Sequence, residues 1–374
     1  MTAAVATRPA LVVRDATTAD NAALVALSAS CTMEGDVALR MDRAPEFFAL
    51  NRLEGDAWRV GVAVDADGSV VGCVAVARRR VWVNGVETTT AYVGDLKVLP
   101  AARGSGAADL LTEYARETSA TLCGADAPVV LTILAGNRRM EHRTRGPRGT
   151  PVLARFATLA VAAVPLLWER RERVGGLSVR SASSADAEAM AALWREVAPG
   201  RQLASVIDAE SLAVWVARAP GLALSDYLLA YDARGRLRGF VGVWDQASFK
   251  QMRVVSYSAR LALARRAINL TAPLVGAARL PEPGEALPAL ASVHVCATDA
   301  AALRALLLEA YRRHRGGRYA FLTVGLDHGD PLRAATRGLL AQPTIVHAYV
   351  TTARGTGDPA SLAGRPLHHE TALV

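Results

Sequence analysis

Cysteine is scarce in this sequence and too widely spread to build a metal or disulfide framework. The 374 residues contain four cysteines, none of them in a C-x-x-C pair. They are Cys31, Cys73, Cys123 and Cys296. Because zinc knuckles and disulfide-stapled domains need closely spaced cysteines, neither is expected here. Isolated cysteines are typical of a reducing compartment, which predicts a cytoplasmic protein.

Aromatic residues are also few, and this bears on nucleic-acid binding. Phe, Trp and Tyr make up 5% of the chain, and no basic stripe is interleaved with them. The formal charge is +8 and residues 78–80 are all arginine. However, proteins that bind single strands stack bases on aromatic side chains. A dispersed positive excess of this size more often serves solubility. Nucleic-acid binding is therefore the weakest function considered, and no nucleic-acid partner is predicted.

Long apolar runs are missing as well. The N-terminal residues MTAAVATRPALVV lack the sustained apolar core of a signal peptide. Residues 151–168, PVLARFATLAVAAVPLLW, form the one candidate for a membrane span, but Arg155 and two prolines interrupt them. Their many valines favour buried strands instead. No membrane partner is predicted.

What the sequence does contain is an internal repeat. Residues 11–27, LVVRDATTADNAALVAL, align without gaps on residues 177–193, LSVRSASSADAEAMAAL. The identities include Val13 with Val179, Arg14 with Arg180, Asp20 with Asp186 and Leu27 with Leu193. Each copy is typical of a strand followed by a helix, with Thr17 or Ser183 and the later aspartate as the cap.

A second correspondence follows in the same order. Residues 63–76, AVDADGSVVGCVAV, match residues 230–243, AYDARGRLRGFVGV, and each predicts a hairpin with an Asp/Gly turn. Two unrelated domains would rarely share both features in one order. We therefore infer two homologous units joined near residues 173–176.

The order of elements in the first unit can be read from turn signals. Asn84-Gly85 is a strong signal for a tight hairpin turn. A strand and a helix region are followed by three antiparallel strands ending at Val98, a glycine-bearing turn, a helix, and a strand at residues 129–137. Residues 152–168 are expected to supply the closing strands of the same unit.

Length and repeat together predict the domain organisation. A prior of roughly 100–200 residues per domain favours two domains for this chain. The predicted domains are residues 1–174 and residues 175–352, followed by a tail at residues 353–374. The predicted fold class is α+β, with two tandem units that are each a mixed, mostly antiparallel sheet flanked by helices.

The glycine turn, residues 103–106, has the features of an anion site. A helix start offers free amides and the positive end of its dipole. Gly104 and Gly106 remove Cβ atoms from the approach, and Arg103 adds a guanidinium suited to phosphate. The turn is neither a P-loop, which needs G-K-[ST], nor a dinucleotide fingerprint, which needs a third glycine. An isolated G-x-G most often only shapes a turn, so its context decides.

In that context, residues 103–108, R-G-S-G-A-A, resemble motif A of the GNAT N-acyltransferase superfamily. Its pattern is Arg or Gln, two residues, Gly, one residue, then Gly or Ala. The resemblance covers roughly residues 11–168 in the family order. It implies that the loop binds the pyrophosphate of acetyl-CoA or another acyl-CoA. The implied pyrophosphate-binding residues are Arg103, Gly104, Ser105, Gly106, Ala107 and Ala108. Leu96, Lys97 and Val98 would offer backbone groups to the pantetheine arm, and Asn137 would contact the cofactor.

The second unit is expected to lack this site. When the helices are aligned, Asp299 lies opposite Arg103, and Ala300 and Ala302 replace the two glycines. Asp299 is a good helix cap, but its carboxylate would stand where a phosphate should bind. We expect the second unit to bind no CoA and to help shape the acceptor site, with purely structural support as the alternative.

Catalytic candidates lie on either side of the glycine turn. Asp95 lies on the strand that leads into the glycine turn. In the GNAT superfamily this strand often carries a carboxylate near the acceptor amine. Asp95 is a candidate base if burial raises its pKa, and an ordinary strand-end residue otherwise. The family often has a tyrosine on the helix after the Asn137 position, but residues 137–149 contain none. Glu141 and His142 are the nearby groups that could transfer a proton. The alternatives are that His142 is only a solvated loop residue, and that the enzyme works mainly by positioning its substrates.

Two further segments are candidates for binding. Five arginines follow Asn137. They are expected to bind CoA phosphates or an acidic acceptor, with a solvated surface as the alternative. They are Arg138, Arg139, Arg143, Arg145 and Arg148. Residues 40–55 lie where family members shape the acceptor pocket. The candidates there are Asp42, Glu46, Phe47 and Phe48, with a helix that buries both phenylalanines as the alternative.

A metal site is not expected. The chain ends in RPLHHETALV, but adjacent side chains of an extended tail point apart, and no further ligands are evident for His368, His369 and Glu370.

The leading function is an N-acyltransferase that moves an acetyl or other acyl group from acyl-CoA directly to a primary amine, with general-base assistance. The acceptor is expected to be a small molecule or a peptide. The alternative is a non-catalytic protein that binds or senses acyl-CoA, which would keep the glycine turn but lack a productive base. The oligomeric state is left open.

Overall fold

The computed structural model describes residues 11–144, 153–356, 358–362 and 364–373. Arg145 and Arg148 of the basic loop lie outside these residues. The strands are β1 (Val12–Asp15), β2 (Thr32–Met33), β3 (Val37–Asp42), β4 (Ala57–Val64), β5 (Val70–Val83), β6 (Val86–Val98), β7 (Pro128–Leu134), β8 (Ala154–Pro165), β9 (Leu177–Ser181), β10 (Tyr227–Asp232), β11 (Leu237–Trp244), β12 (Gln251–Tyr257), β13 (Ala289–Ala297), β14 (Phe321–Asp327) and β15 (Gln342–Thr352). The helices are α1 (Asn21–Ser30), α2 (Ala107–Cys123), α3 (Arg138–Arg143), α4 (Ala187–Val197), α5 (Ala209–Arg218), α6 (Ala259–Val275) and α7 (Ala300–His314).

A single large sheet runs through the molecule. Its strand order is β1-β4-β5-β6-β7-β15-β8-β14-β13-β11-β10-β9, and a separate small sheet has the order β12-β3-β2. Most pairs are antiparallel, while β6–β7 and β13–β14 are parallel. The predicted α+β fold class with mixed, mostly antiparallel sheets is confirmed.

The two halves of the chain exchange strands at the centre of this sheet. We call residues 11–174 the N-terminal half and residues 175–373 the C-terminal half. Strand β15 of the C-terminal half lies between β7 and β8, and pairs with both. Strand β8 in turn pairs with β14. The expectation that residues 152–168 close the sheet of their own unit is therefore wrong. Their apolar pattern predicts a buried strand correctly, but a local pattern does not specify which distant strand it pairs with.

The residues shared by the two repeats form the same local structure in each half. The carboxylate of Asp20 accepts a hydrogen bond from the Thr17 amide at 2.7 Å and is ion-paired with Arg14 at 2.8 Å. The Asp186 carboxylate likewise accepts a hydrogen bond from the Ser183 amide at 2.8 Å and is ion-paired with Arg180 at 2.5 Å. The repeated Arg and Asp thus join the first strand of each half to the cap of its first helix.

Two segments were candidates for helices in the sequence, and the structure shows other secondary structure there. Residues 151–168, in which buried strands were expected instead of a membrane span, contain β8, and no helix in the described residues is long and apolar enough to cross a bilayer. Phe47 and Phe48 lie in a short 3₁₀ turn, Phe47–Ala49, and not in an α-helix. They are 0% and 5% exposed, so they belong to the core.

Candidate active site

An opening between two parallel strands forms the centre of the candidate site. Strands β6 and β7 pair only from Ala91 with Val129 to Val93 with Leu131. Beyond this point β6 continues to Val98 while β7 diverges from it. Backbone groups that face such a gap must find other partners, and a bound ligand can supply them. Leu96, Lys97 and Val98, which the resemblance assigns to the pantetheine arm, line this opening.

The glycine turn lies at one end of the opening. Gly104 and Gly106 have φ angles of +87° and +99°, a backbone region that favours glycine strongly. A Cβ atom built on either residue would have no neighbouring atom within 4 Å, so the space above the turn is open. Helix α2 begins at Ala107, directly after the glycine turn. The turn is therefore an exposed loop that ends at a helix start.

One large cleft connects these features. Its volume is about 2630 Å³, and it is lined by the ends of β6 and β7, the start of α2, α3, one side of α6 and the loop after β11. Ligand pockets usually measure about 300–1,000 Å³, so this cleft has room for more than one ligand. Both halves of the chain line it.

Helix α3, which follows β7, is tied down by its own side chains. The Asn137 side chain accepts a hydrogen bond from the Met140 amide at 3.3 Å and so caps α3. Glu141 accepts from the Gly136 amide at 2.9 Å. Arg143 connects α3 to α2 through an ion pair with Asp109 at 2.8 Å.

The proton-transfer candidates on α3 differ in position. The Glu141 side chain is engaged by the turn before α3 and is not among the described residues that line the cleft. His142, Arg138 and Arg139 do line it. The geometry thus leaves His142 beside the cleft and turns Glu141 away from it.

Asp95 occupies a β-bulge that lines the cleft. Gly94 pairs with Ala75 and Lys97 with Cys73, so two residues of β6 face one residue of β5. Asp95 itself has a φ of +54°. Left-handed conformations of residues other than glycine are uncommon and cluster at functional sites.

The Asp95 carboxylate is held by two cations. It is ion-paired with Arg43 at 2.5 Å and with Lys97. Arg43 is 1% exposed, lies over the Phe47 ring at 4.0 Å and donates to Asn51 at 3.0 Å. Burial alone would raise the pKa of Asp95, but the two positive charges outweigh it and hold that pKa well below its usual range. The role of Asp95 as a base depended on a raised pKa, and this expectation is therefore wrong.

The residues proposed to bind the acceptor are engaged elsewhere. Asp42 is ion-paired with Arg253 at 2.9 Å, and Glu46 with Arg52. Asp42, Glu46, Phe47 and Phe48 are all absent from the described residues that line the cleft. Their neighbours Leu50, Asn51 and Glu54 line it instead. Segment 40–55 does reach the site, but through its last part.

Sequence reasoning missed the contribution of the loop after β11. Gln246 and Lys250 line the cleft, and both donate to the carbonyl of Ala372, at 2.8 and 2.9 Å. Lys250 is 7% exposed, and burial lowers its pKa to about 7. A composition count could have drawn attention to it, since Lys97 and Lys250 are the two lysines of the chain.

The C-terminal segment, residues 364–373, is packed into the protein and is not an extended tail. Strands β13 and β14 diverge in the same way as β6 and β7, because they pair only from Ala289 to Ala291. Glu370 accepts from the His294 amide on β13 at 3.0 Å. A Cβ atom on Gly325 of β14 would clash with Thr371 at 2.2 Å. The segment therefore fills the opening of the C-terminal half.

The turn before the matching helix is also shorter in this half. Residues 298 and 299 join β13 to α7, whereas residues 99–106 join β6 to α2. The Asp299 carboxylate accepts from the Ala302 amide at 2.9 Å, as a helix cap should. No loop remains that could surround a phosphate as residues 103–106 could.

The two adjacent histidines of the C-terminal segment have separate partners. His368 pairs with Glu370 at 2.8 Å, while His369 lies 5.5 Å from the Tyr92 ring. Among the described residues no group of three or more His, Cys, Asp or Glu side chains could hold a metal ion.

Comparisons with known proteins bear on the fold. No protein-family model and no curated protein matches the sequence. Among solved structures, a GCN5-related N-acetyltransferase from Sphaerobacter thermophilus is similar with a TM-score of 0.58 and 18% identity, over 93% of this chain and 97% of its own. A probable N-acyltransferase from Enterococcus faecalis has a TM-score of 0.53 and 14% identity, over 92% and 73%.

An acyl-CoA-bound enzyme is also among the similar structures. The N-myristoyltransferase of Saccharomyces cerevisiae, solved with bound myristoyl-CoA, has a TM-score of 0.60 and 10% identity, over 91% of this chain and 79% of its own. Identities this low show the fold and no more. The chain has the fold of the GNAT superfamily, and the resemblance expected from residues 103–108 is confirmed at that level.

Proposed function

We propose that the protein is an N-acyltransferase that transfers an acetyl or other acyl group from acyl-CoA to a primary amine. The observation that carries this proposal is the coincidence, in one cleft, of the β6–β7 opening with the open glycine turn at the start of α2. The first feature suits an extended pantetheine arm, and the second suits a pyrophosphate. The similarity to N-acetyltransferases and to an N-myristoyltransferase supports acyl-CoA as the donor.

The donor would lie on the α2 side of the cleft. The amides of Gly104, Gly106 and Ala108 and the helix dipole would hold the pyrophosphate, with Arg103 exposed beside them. Arg138 and Arg139, also exposed, line the same side and are suited to the remaining phosphate. The arm would follow Leu96, Lys97 and Val98, which places the thioester near Asp95.

The acceptor amine would enter from the opposite side of the opening. The cleft is also lined by Asn51 and Glu54 from the N-terminal half, by Gln246 from the C-terminal half and by the C-terminal segment, and we assign the acceptor to these residues. We propose that the C-terminal half binds no CoA and serves here as part of the acceptor wall. A filled β13–β14 opening and a two-residue turn before α7 support this.

The proposed reaction is direct attack of the amine on the thioester. Because its pKa is low, Asp95 stays ionised and positions Lys97 and Arg43. The cleft contributes orientation, which is a large part of the barrier reduction in reactions that join two substrates.

The direct test is the release of CoA thiol. Purified protein is given acetyl-CoA and a panel of primary amines, and free thiol is followed with a chromogenic disulfide. We expect amine-dependent release that falls in Arg103→Ala. Acyl-CoA binding without release from any amine would instead support the non-catalytic binding protein.

A further inference from the structure

One face of the central sheet carries half-buried apolar side chains that border the cleft. Successive residues of a strand face opposite sides of a sheet. On β8 and β14, Val164, Leu322 and Val324 are buried in the core beneath α7. The residues that alternate with them are only half-buried and line the cleft. We call these residues the apolar floor: Val161, Ala163 and Pro165 of β8, Phe321 and Thr323 of β14, and Ala289 of β13.

The apolar floor is continuous with the β6–β7 opening. Leu134 of β7 lies beyond the last residue that pairs with β6. It pairs with Val346 of β15, which pairs with Leu159 of β8, so these three side chains share one face of the sheet. Val161 is two residues beyond Leu159 and faces the same side. The distance from β7 to β14 is three strand spacings, or about 14 Å.

The apolar floor and the glycine turn belong to opposite sides of the sheet. Helix α2, which starts after the turn, packs on Val129 of β7. Leu134 is an odd number of residues away from Val129, so the two side chains face opposite sides. A donor held at the start of α2 therefore reaches the opening from one side of the sheet. A ligand on the floor reaches it from the other side.

The floor lies on the same side as a residue already assigned to the acceptor. Leu50 and Leu53, which flank Asn51, share a core with Ala291 of β13. Ala291 is two residues beyond Ala289, so both face the same side of the sheet. The acceptor assigned to Asn51 and a ligand on the floor therefore come from one direction.

Helix α6 gives the cleft a second apolar side. Leu261, Ala264 and Ile268 are three and four residues apart, so they lie on one side of the helix, and all three line the cleft. Leu263 is 69% exposed and is not among the described residues that line the cleft. The cleft thus offers apolar contacts from the sheet and from α6, on the side away from α2.

We infer that the acceptor is an amphipathic amine, a primary amine on an extended alkyl chain, and this inference rests on the proposed function. The alkyl chain lies on the apolar floor and against α6, and the amine nitrogen reaches the opening beside Asp95. The nitrogen forms the C–N bond to the thioester carbonyl, and the C–S bond breaks with its electron pair on sulfur. The proton lost from nitrogen ends on the CoA thiol.

The first experiment varies the length of the acceptor. Purified protein receives acetyl-CoA and unbranched primary amines from ethylamine to decylamine, below the concentrations at which they form micelles. Release of CoA thiol gives kcat/KM for each amine. We expect kcat/KM to rise about two- to fourfold per added methylene, because each methylene leaves water for an apolar surface. Equal values for all the amines would overturn the inference and leave the acyltransferase standing.

A second series separates the acceptor from the acyl group of the donor. The amine is always ethylamine, and the donors are acetyl-, octanoyl- and myristoyl-CoA. We expect little change in kcat/KM along this series, because the donor reaches the opening from the α2 side. A gain that follows the acyl chain and not the amine would place the donor on the floor, which contradicts the inference.

Variants test whether the named residues hold the alkyl chain. Leu261→Gln puts a polar group on the cleft side of α6, and Leu263→Gln makes the same change on the exposed side. We expect Leu261→Gln and Ala163→Gln to flatten the amine series, and Leu263→Gln to keep the wild-type slope. Equal flattening by the two leucine variants would show that long amines only adsorb to the surface, and the inference would fail. Thermal unfolding shows whether each variant is folded.

Calorimetric titration with decylamine needs no reaction. We expect one saturable site per chain, weakened about tenfold in Leu261→Gln and unchanged in Leu263→Gln. If decylamine shows no saturable binding, the inference fails even where short amines are acetylated. If decylamine binds but no amine releases thiol, the proposed function fails and the acceptor role fails with it. The two failures are therefore distinguishable.

Discussion

Asp95 on β6 and His294 on β13 occupy matching bulges in the two halves of the sheet, and both have a left-handed backbone, with φ of +54° and +49°. Their surroundings have diverged. Asp95 faces the cleft between two cations, whereas His294 is buried against Tyr227 at 2.7 Å, and its amide is engaged by Glu370. The same bulge is part of an open cleft in one half and of a filled core in the other.

Replacing Asp95 with asparagine should cost stability as well as activity. Arg43 is buried, so removing its anion leaves an uncompensated charge, with a typical cost of about 3–5 kcal/mol. Urea unfolding measures the change. The matched control is Asp56→Asn, because its ion pair with Arg78 is exposed on both sides and such pairs contribute little to stability. Equal effects of the two substitutions would contradict the account of Asp95.

Gly106→Ala should weaken acetyl-CoA binding by more than its effect on stability explains. The Cβ atom would enter the space that we assign to the pyrophosphate, and the positive φ adds a backbone cost of about 1–2 kcal/mol. Gly68→Ala is the control, because Gly68 also has a positive φ and open space around it but lies in the β4–β5 turn. Calorimetric affinity and urea unfolding of both variants separate the two effects.

Acid should loosen the packing of the C-terminal segment. Burial lowers the pKa of His369 to about 3, so the folded state keeps it neutral while the unfolded chain binds a proton below about 6.5. The unfolded state then carries more protons between these values, and stability falls as pH decreases through that window. We expect a shallower slope in His369→Phe when unfolding free energy is measured from pH 7 to pH 4. Parallel slopes would show that His369 is not responsible.

The exchanged strands predict that neither half folds alone. The N-terminal half alone lacks β15, which leaves one edge of β7 unpaired. The C-terminal half alone lacks β8, which leaves one edge of β14 unpaired. We expect residues 1–174 and 175–374, produced separately, to lack a cooperative thermal transition, and to gain one when produced together. Protein cleaved at a protease site inserted after Arg173 should still elute as one species. Two independently folded halves would contradict the exchange.

Sequence patterns predicted the parts of the fold that depend on local chemistry. The repeated Arg14 and Arg180, with their aspartates, marked two equivalent starts, and Asn84-Gly85 marked a hairpin that the structure contains. The glycines at 104 and 106 indicated a turn with a special backbone. All of these signals act within a few residues of each other.

Features that depend on distant contacts were not predictable in this way. Nothing near β8 specifies that it pairs with β14, and nothing near Asp95 reveals that Arg43 is its partner. In segment 40–55, Phe47 and Phe48 were candidates for the acceptor site with burial as the alternative, and the structure buries both rings in the core. Lys250 was overlooked because its neighbours in sequence carry no motif, although the rarity of lysine was visible.

The most direct measurement is a calorimetric titration of the purified protein with acetyl-CoA, repeated with Arg103→Ala and with Asp299→Ala. The account predicts one site per chain, weakened by Arg103→Ala and unchanged by Asp299→Ala, since the cleft of the N-terminal half holds the donor. No binding, or binding that depends on Asp299 and not on Arg103, would contradict it.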